Sequence, residues 1–189
     1  MKRKSILYTE WVSTSRRARI HPRRKQDMRS MIMNEYPKRK HLRLIEYDYS
    51  QSNYYFVTIC TYGKKHLFAI GDRLTAYGKT AEKCLAEIPR VFPDICIDKY
   101  VIMPNHIHMI LVIKNSTDET ARMYPRPTLG IAIGNFKSAV TREIHNTEPE
   151  IKVWQTGFYD HIIRDIPDYE NIWTYIDENP IKWDSDEYY

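Results

Sequence analysis

An apolar run interrupted by two histidines constrains the fold more than any other stretch of the chain. Residues 106–113 read His-Ile-His-Met-Ile-Leu-Val-Ile and follow the turn-forming pair Pro104-Asn105. A continuous β-prone apolar sequence is typical of a strand that is covered on both faces of a sheet. Because side chains alternate along a strand, His106 and His108 share one face, with Cα atoms roughly 6.5 to 7 Å apart. The odd-numbered apolar residues lie on the other face.

Two imidazoles on one face of a strand can bind one divalent metal ion together. The alternative is that one or both are hydrogen-bonded histidines of the core or surface, because a bare His-x-His spacing is common. Taken alone, the pair leaves both interpretations open.

The flanking elements predict an α+β fold. β-prone runs predict strands at residues 54–61, 95–103, 106–113 and 153–164. Apolar residues at helical spacing predict helices at 74–92, with Pro89 breaking or ending the helix, and at 129–145 and 167–179. Residues 114–128 are polar and predict a loop. This order of elements predicts an antiparallel sheet with helices packed on it.

Length and composition indicate one intracellular domain with a tail. The chain has 189 residues, of which 42% are hydrophobic, enough for one core of ordinary size. It contains neither a run of ~20 apolar residues nor a signal-peptide core, which predicts a cytoplasmic or nucleoid protein with no membrane partner. Cys60, Cys84 and Cys96 form no CxxC motif and are expected to pack, without disulfides or a zinc site.

Positive charge is concentrated at the N-terminus. Residues 1 to 43 contain fourteen Lys and Arg against three acidic residues, whereas the remainder has fifteen basic and twenty-one acidic residues. We therefore expect a basic, flexible arm at residues 1–42 and a domain at 43–189. The arm either contacts phosphates or is only a solubilising extension. Its candidate DNA-contacting residues are Arg23, Arg24, Lys25, Lys38, Arg39 and Lys40.

A second set of candidate DNA contacts lies on the polar side of the predicted helix 129–145. Hydroxyl and basic side chains there are available either to a sugar-phosphate backbone or to water. The set consists of Lys137, Ser138, Thr141 and Arg142.

The last predicted helix carries a tyrosine and an asparagine that are one helical turn apart. Pro167 suits its first turn and Pro180 prevents its continuation. Tyr175 and Asn179 are four residues apart, so their side chains stack one turn apart beside the apolar stripe. The alternative is a structural tyrosine at the core edge and an asparagine that ends the helix before proline. The stripe consists of Tyr169, Ile172, Trp173 and Ile176.

Several stretches resemble one family. Tyr-Val-Ile-Met-Pro-Asn-His-Ile-His-Met-Ile at 100–110 resembles the His-hydrophobic-His strand of the single-tyrosine HUH transposases. Further stretches resemble the REP-associated tyrosine transposase branch of that superfamily and occur in the same order along the chain. They lie at residues 43–44, 47–50, 56–61, 134–138, 154–155, 160–164 and 175–180. The resemblance extends from about residue 43 to residue 183.

This resemblance implies a ferredoxin-like or RRM-like fold, the HUH endonuclease fold. It also implies cleavage and rejoining of single-stranded, hairpin-forming DNA through a 5′-phosphotyrosine, by a monomer or homodimer. By position, His106 and His108 would be metal ligands, Asn179 the third ligand and Tyr175 the nucleophile. Nitrogen and oxygen donors suit Mg²⁺ or Mn²⁺.

Three alternatives remain beside this assignment. Tyr159 competes with Tyr175 as nucleophile, although it lies in a strand-like run without a ligand four residues on. A catalytically inactive module could bind single-stranded nucleic acid by stacking bases on sheet aromatics such as Tyr54, Phe56 and Tyr100. A histidine-dependent phosphoesterase without a covalent intermediate would need only the two histidines.

Overall fold

The computed structural model describes residues 48–114 and 127–183. The predicted arm, residues 1–42, therefore lies outside the described residues. In chain order the elements are β1 (Asn53–Cys60), a 3₁₀ turn (Tyr62–Lys64), β2 (Ala69–Ile70), β3 (Arg73–Leu74), α1 (Ala76–Val91), β4 (Ile95–Ile102), β5 (His106–Ile113), α2 (Leu129–His145), β6 (Tyr159–Ile163) and α3 (Ile166–Glu178).

The four long strands form one antiparallel sheet in the order β4-β5-β1-β6. With the small β2–β3 hairpin set aside, the chain runs strand, helix, strand, strand, helix, strand, and the first and third of these strands are central. This is the ferredoxin-like arrangement, so the structure confirms the predicted α+β fold. Helix α3 is an addition that follows the last strand.

The sheet is covered on both faces. Helices α1 and α2 pack on one face, around the odd-numbered residues of β1 and β5. Helix α3 packs on the other, where Tyr169, Ile172 and Ile176 meet the even-numbered residues of the same strands. All eight residues of β5 are consequently buried. This double burial explains why the strand is apolar on both faces.

Side-chain caps fix where the three helices begin. Each N-cap residue is extended, and its side chain accepts a hydrogen bond from a backbone N–H in the first turn. The caps are Thr75 for α1, Thr128 for α2 and Asp165 for α3. Across the two described ranges, no helix combines the length and the apolar character needed to cross a membrane.

The structure corrects two local predictions. Pro89 does not end α1 but lies in its last turn, where the missing proline N–H removes a single bond, and the helix continues to Val91. The strand-like run 153–164 forms a strand only from Tyr159, because Gly157 adopts a left-handed conformation (φ 76°) that turns the chain.

All three cysteines are free and half-buried. Cys84 packs against the core under α1 and α2, and Cys96 against the core under α3. Burial raises the pKa of both thiols, which keeps them protonated. The expected packing role fits these positions.

Gly78 is predicted to be essential for the packing of α1. A Cβ atom there would lie 2.0 Å from the backbone oxygen of Phe68, so Gly78→Ala should lower the free energy of unfolding by about 1–3 kcal/mol or more. Gly134→Ala is the matched control, because a Cβ atom added at Gly134 on α2 would have nothing within 4 Å. It should raise stability by about 0.5–1 kcal/mol. Urea unfolding measures both, and wild-type stability in Gly78→Ala would contradict the close contact.

Candidate active site

The two histidines lie side by side beneath α3. In the register of the sheet, His106 is opposite Cys60 and His108 is opposite Thr58. Their side chains are on the same face, with ring centroids 4.4 Å apart. Both residues are buried, at 0% and 1% exposure. The predicted shared face is therefore confirmed.

Neighbouring polar groups determine which ring nitrogens carry protons. The Nδ1 atom of His106 is 2.8 Å from Oδ1 of Asn105. An amide oxygen only accepts hydrogen bonds, so Nδ1 donates and the lone pair of His106 lies on Nε2. For His108, Nδ1 is 2.8 Å from Oγ1 of Thr58 and Nε2 is 3.3 Å from the Tyr175 hydroxyl. A ring that donates from Nδ1 to Thr58 can accept from Tyr175 at Nε2.

Burial keeps both imidazoles neutral. Desolvation lowers the pKa of His106 to about 3, and the positive charge of Lys64 adds to the effect. Desolvation also lowers the pKa of His108 well below its ordinary value, with a further contribution from His106. A neutral imidazole keeps a lone pair, which a metal ion or a hydrogen-bond donor can use.

Tyr175 covers His108 from α3 of the same chain. Its ring centroid is 5.2 Å from that of His108 and 6.0 Å from that of Phe56. Phe56 in turn stacks on His108 at 5.3 Å. The phenol is half-buried, with its hydroxyl directed at the histidine. The tyrosine and the histidines thus meet within one subunit.

Polar contacts tie α3 to both edge strands of the sheet. They join the Tyr169 hydroxyl to Asp98, Nζ of Lys99 to Asp177 at 2.6 Å, and Nε2 of His161 to Asp168 at 2.8 Å. A β-bulge between Ile97 and Lys99 turns Lys99 toward α3. The helix therefore crosses the sheet from β6 to β4 with fixed ends, which sets the position of Tyr175.

Asn179 lies one turn beyond Tyr175, at the C-cap of α3, and is 3% exposed. Four residues later, the ring of Trp183 lies 5.9 Å from that of His106. In the chain, Asn179 thus lies between Tyr175, which contacts His108, and Trp183, which lies near His106. This places the predicted third ligand in the segment that covers the histidine pair.

The donor set fits a divalent metal ion. Two neutral imidazoles with lone pairs are ligands for ions such as Mn²⁺, and partners at the other ring nitrogens orient such ligands. In the described part of the chain, no group of three or more His, Cys, Asp or Glu residues could hold a metal. A third donor from these residues must be of another type, and the Asn179 amide as that donor stays a prediction.

Four predicted DNA contacts lie on α2. They are Lys137, Ser138, Thr141 and Arg142. Helix α2 packs on the face of the sheet opposite the histidines. The Lys137 ammonium donates to the backbone oxygens of Gln155 (2.7 Å) and Gly157 (2.8 Å) and stabilises that loop. Contact between these residues and DNA stays a prediction.

The candidate residues of the arm lie outside the described residues. They are Arg23, Arg24, Lys25, Lys38, Arg39 and Lys40. Their contact with phosphate likewise stays a prediction.

Tyr159, the alternative nucleophile, shares the histidine face but lies farther out. It is the first residue of the edge strand β6, opposite Thr58, which in turn lies opposite His108. Two strand spacings, roughly 9 to 10 Å, therefore separate its backbone from that of His108. The structure brings Tyr175 within hydrogen-bonding distance of His108.

The sheet cannot bind bases in the manner of an RRM while α3 is in place. Tyr54 is 4% exposed and packs edge-on against Tyr169 at 5.6 Å. Phe56 lies under α3 as well. Tyr100 points to the opposite face, where its hydroxyl donates to Glu82 of α1 at 3.2 Å. Stacking of bases on Tyr54 and Phe56 would therefore require α3 to leave the sheet, whereas Tyr100 is 39% exposed. The catalytically inactive binding module stays an alternative.

Three residues that shape the site were not predicted from the sequence. Asn105 could have been found, because an amide directly before a candidate ligand is an obvious orienting group. Thr58 depends on the register between β1 and β5, which no local pattern specifies. Trp183 lies after Pro180, beyond the last recognised element.

Comparisons with known proteins point to one family. The chain is 35% identical over 167 residues to an uncharacterized protein of Haemophilus influenzae strain Rd, covering 80% of this chain and 93% of that protein. It is 27% identical over 148 residues to a second protein of that organism, provisionally named a REP-associated tyrosine transposase, covering 71% and 74%. No protein-family model matches the chain.

A solved structure also resembles this fold. It is a REP-associated tyrosine transposase bound to a REP hairpin, with a TM-score of 0.54 and 21% identity. The likeness covers 75% of this chain and 74% of that one. It supports the assignment of the fold.

The buried neutral histidines predict acid sensitivity of the metal-free protein. Unfolded histidine takes up a proton below its ordinary pKa of 6.5, whereas folded His106 does so only near pH 3. The unfolded state therefore binds more protons between these values, and stability must fall as pH falls. Each such histidine contributes at most about 1.4 kcal/mol per pH unit.

Denaturant unfolding between pH 7 and 5 measures this slope. The double variant His106→Asn, His108→Asn should show a shallower dependence than the wild type, whatever its absolute stability. Equal slopes would show that the histidines are not kept neutral by folding.

Proposed function

Because this chain belongs to the family of REP-associated tyrosine transposases, we propose that it cleaves and rejoins single-stranded DNA at hairpin-forming sequences. Family membership gives a transposase-like role, and the proposal specifies the reaction. The main observation that supports this reaction is the position of the Tyr175 hydroxyl, 3.3 Å from Nε2 of His108 in the same chain. A potential nucleophile thus lies directly beside a candidate metal ligand.

The reaction we propose is a transesterification at Tyr175. The phenolic oxygen attacks the scissile phosphorus, forming a 5′-phosphotyrosine bond as the bond to the 3′ oxygen breaks. The phenolic proton is lost to water, and the departing oxygen gains a proton to become a 3′-OH. Attack by a 3′-OH reverses the step and restores the tyrosine. Phenolate is a good leaving group, which makes this rejoining feasible.

The histidine pair and Asn179 are proposed to hold a divalent ion. Such an ion, Mg²⁺ or Mn²⁺, would supply Lewis-acid polarisation of the phosphate. Asn105 and Thr58 would keep Nδ1 of each ring occupied, so that Nε2 faces the ligand. Phe56 and α3 exclude water from one side of the rings, and α3 positions the phenol against them.

The substrate class rests on the family and on the site chemistry together. The solved relative is bound to a REP hairpin, and we propose a hairpin-bearing single strand here. A phosphoesterase without a covalent intermediate needs no tyrosine at the histidines, and the placement of Tyr175 favours the covalent route over it.

Tyr175→Phe tests the nucleophile. The change removes only the hydroxyl, so packing against Phe56 and His108 should persist while cleavage falls to background. The assay incubates the protein with labelled hairpin-bearing single strands and Mn²⁺ and measures a denaturation-resistant adduct. Mass spectrometry of the wild-type adduct should place the nucleotide on the peptide that contains Tyr175.

Tyr159→Phe is the matched control and should retain a measurable fraction of cleavage. An adduct on Tyr159, or undiminished cleavage by Tyr175→Phe, would refute the assignment of Tyr175. Absence of any wild-type adduct with hairpin strands and metal would refute the proposed reaction itself.

His106→Ala tests the metal. Loss of one imidazole should abolish adduct formation and weaken Mn²⁺ binding, measured by calorimetry, while the cooperative unfolding transition persists. Tyr175→Phe should bind Mn²⁺ at least as tightly as the wild type, because it no longer occupies the lone pair of His108. Full cleavage by His106→Ala in the presence of a chelator would eliminate the metal mechanism.

A further inference from the structure

A short basic turn follows β1 at the end of the sheet that carries His106. This basic turn, residues 62–66, reads Tyr-Gly-Lys-Lys-His, and all five residues are exposed. None of the proposed steps above assigns it a function. It nevertheless combines three basic side chains with an exposed aromatic ring.

The residues that flank the basic turn on both sides form hydrogen bonds with Pro104 and Asn105, which precede His106. The backbone N–H and the hydroxyl of Thr61 both donate to the carbonyl oxygen of Asn105, at 2.8 and 3.0 Å. The N–H groups of Leu67 and Phe68 donate to the oxygen of Pro104, at 2.8 and 3.0 Å. Asn105 also orients His106. The basic turn is therefore hydrogen-bonded to a residue that shapes the candidate active site.

The basic turn lies near the histidine pair, next to Trp183. The ring of His66 is 5.6 Å from Trp183, whose ring is 5.9 Å from His106. Lys64 and Lys65, in the same turn as His66, add two positive charges at this place. A phosphate at the histidines would feel the same positive charge.

Lys64 adopts a backbone conformation that lysine rarely takes. Its φ is 54°, and among the described residues it is the one non-glycine residue with positive φ. With Gly63 at φ 63°, it forms the two central positions of a tight turn that Lys65 closes by donating to Tyr62 at 3.4 Å. Lysine is strained in this conformation whereas glycine is not, and strain of this kind clusters at functional sites.

Tyr62 adds a second feature typical of single-strand binding. Its ring is 42% exposed, and Nζ of Lys152 lies 4.2 Å from the ring centroid. Surfaces that bind single strands combine aromatic rings with positive charges that follow the backbone. The basic turn and Lys152 present this combination next to the histidines.

We propose that the basic turn binds the DNA strand beside the scissile phosphate, with Lys64 contacting a backbone phosphate. The inference rests on the proposed function and adds a binding site to it. Hydrogen bonds from Thr61, Leu67 and Phe68 to Asn105 and Pro104 hold the basic turn next to His106. Lys64 thereby positions the strand for attack by Tyr175.

Lys64→Gly removes the lysine side chain while the backbone can keep its left-handed conformation. Glycine takes the left-handed conformation freely, so the melting temperature should stay equal or rise. Losing one phosphate contact should reduce the slope of log K against log salt by about 0.7 for a hairpin-bearing single strand, measured by fluorescence anisotropy. Adduct formation should fall about tenfold or more, as expected for a lost charge-assisted hydrogen bond. Lys64→Arg should restore most of both.

Lys79→Ala is the control for net charge, because Lys79 is exposed on α1, across the sheet from the histidines. It should leave the salt slope and adduct formation within about twofold of wild type. Equal effects of Lys64→Gly and Lys79→Ala, with an active wild type, would overturn this inference alone. A wild type that binds DNA without cleaving it would overturn the proposed reaction. The salt slope of Lys64→Gly would then still test whether Lys64 contacts a phosphate. A wild type that does not bind would overturn both.

Discussion

The packing of α3 against the histidine face of the sheet is the interaction on which the candidate site depends. Burial of apolar side chains such as Ile172 and Ile176 stabilises it, each by roughly 2 kcal/mol. The same packing removes water from His106 and His108 and thereby keeps both rings neutral. It also brings Tyr175 to His108. Stability and chemistry here have one physical origin.

The register of β5 is the second requirement. Its odd-numbered residues belong to the core under α1 and α2, and its even-numbered residues belong to the core under α3. A slip by one residue would put Ile107 beneath Tyr175 and bury both imidazoles among aliphatic side chains. The pairing of His108 with Thr58 would be lost at the same time. Both cores therefore act together to hold the histidines in place.

Features that depend on local periodicity could be predicted from the sequence. Strand alternation places His106 and His108 on one face, and the helical stripe places Tyr175 and Asn179 beside one another. Features that depend on how the helices and strands are arranged in space could not be predicted from the sequence. Periodicity shows that α2 has an apolar side but not which face of the sheet that side covers. The left-handed Lys64 carries no sequence signal apart from the preceding glycine.

The connection between β6 and α3 consists of Arg164 and Asp165. Three Cα steps span at most roughly 11 Å, less than the roughly 14 Å across the four strands that α3 must cross. This short connection limits how far α3 can move away from the edge strand β6. A DNA end joined to Tyr175 as proposed would be linked to the edge strand through Arg164 and Asp165 and would move only as far as this connection allows.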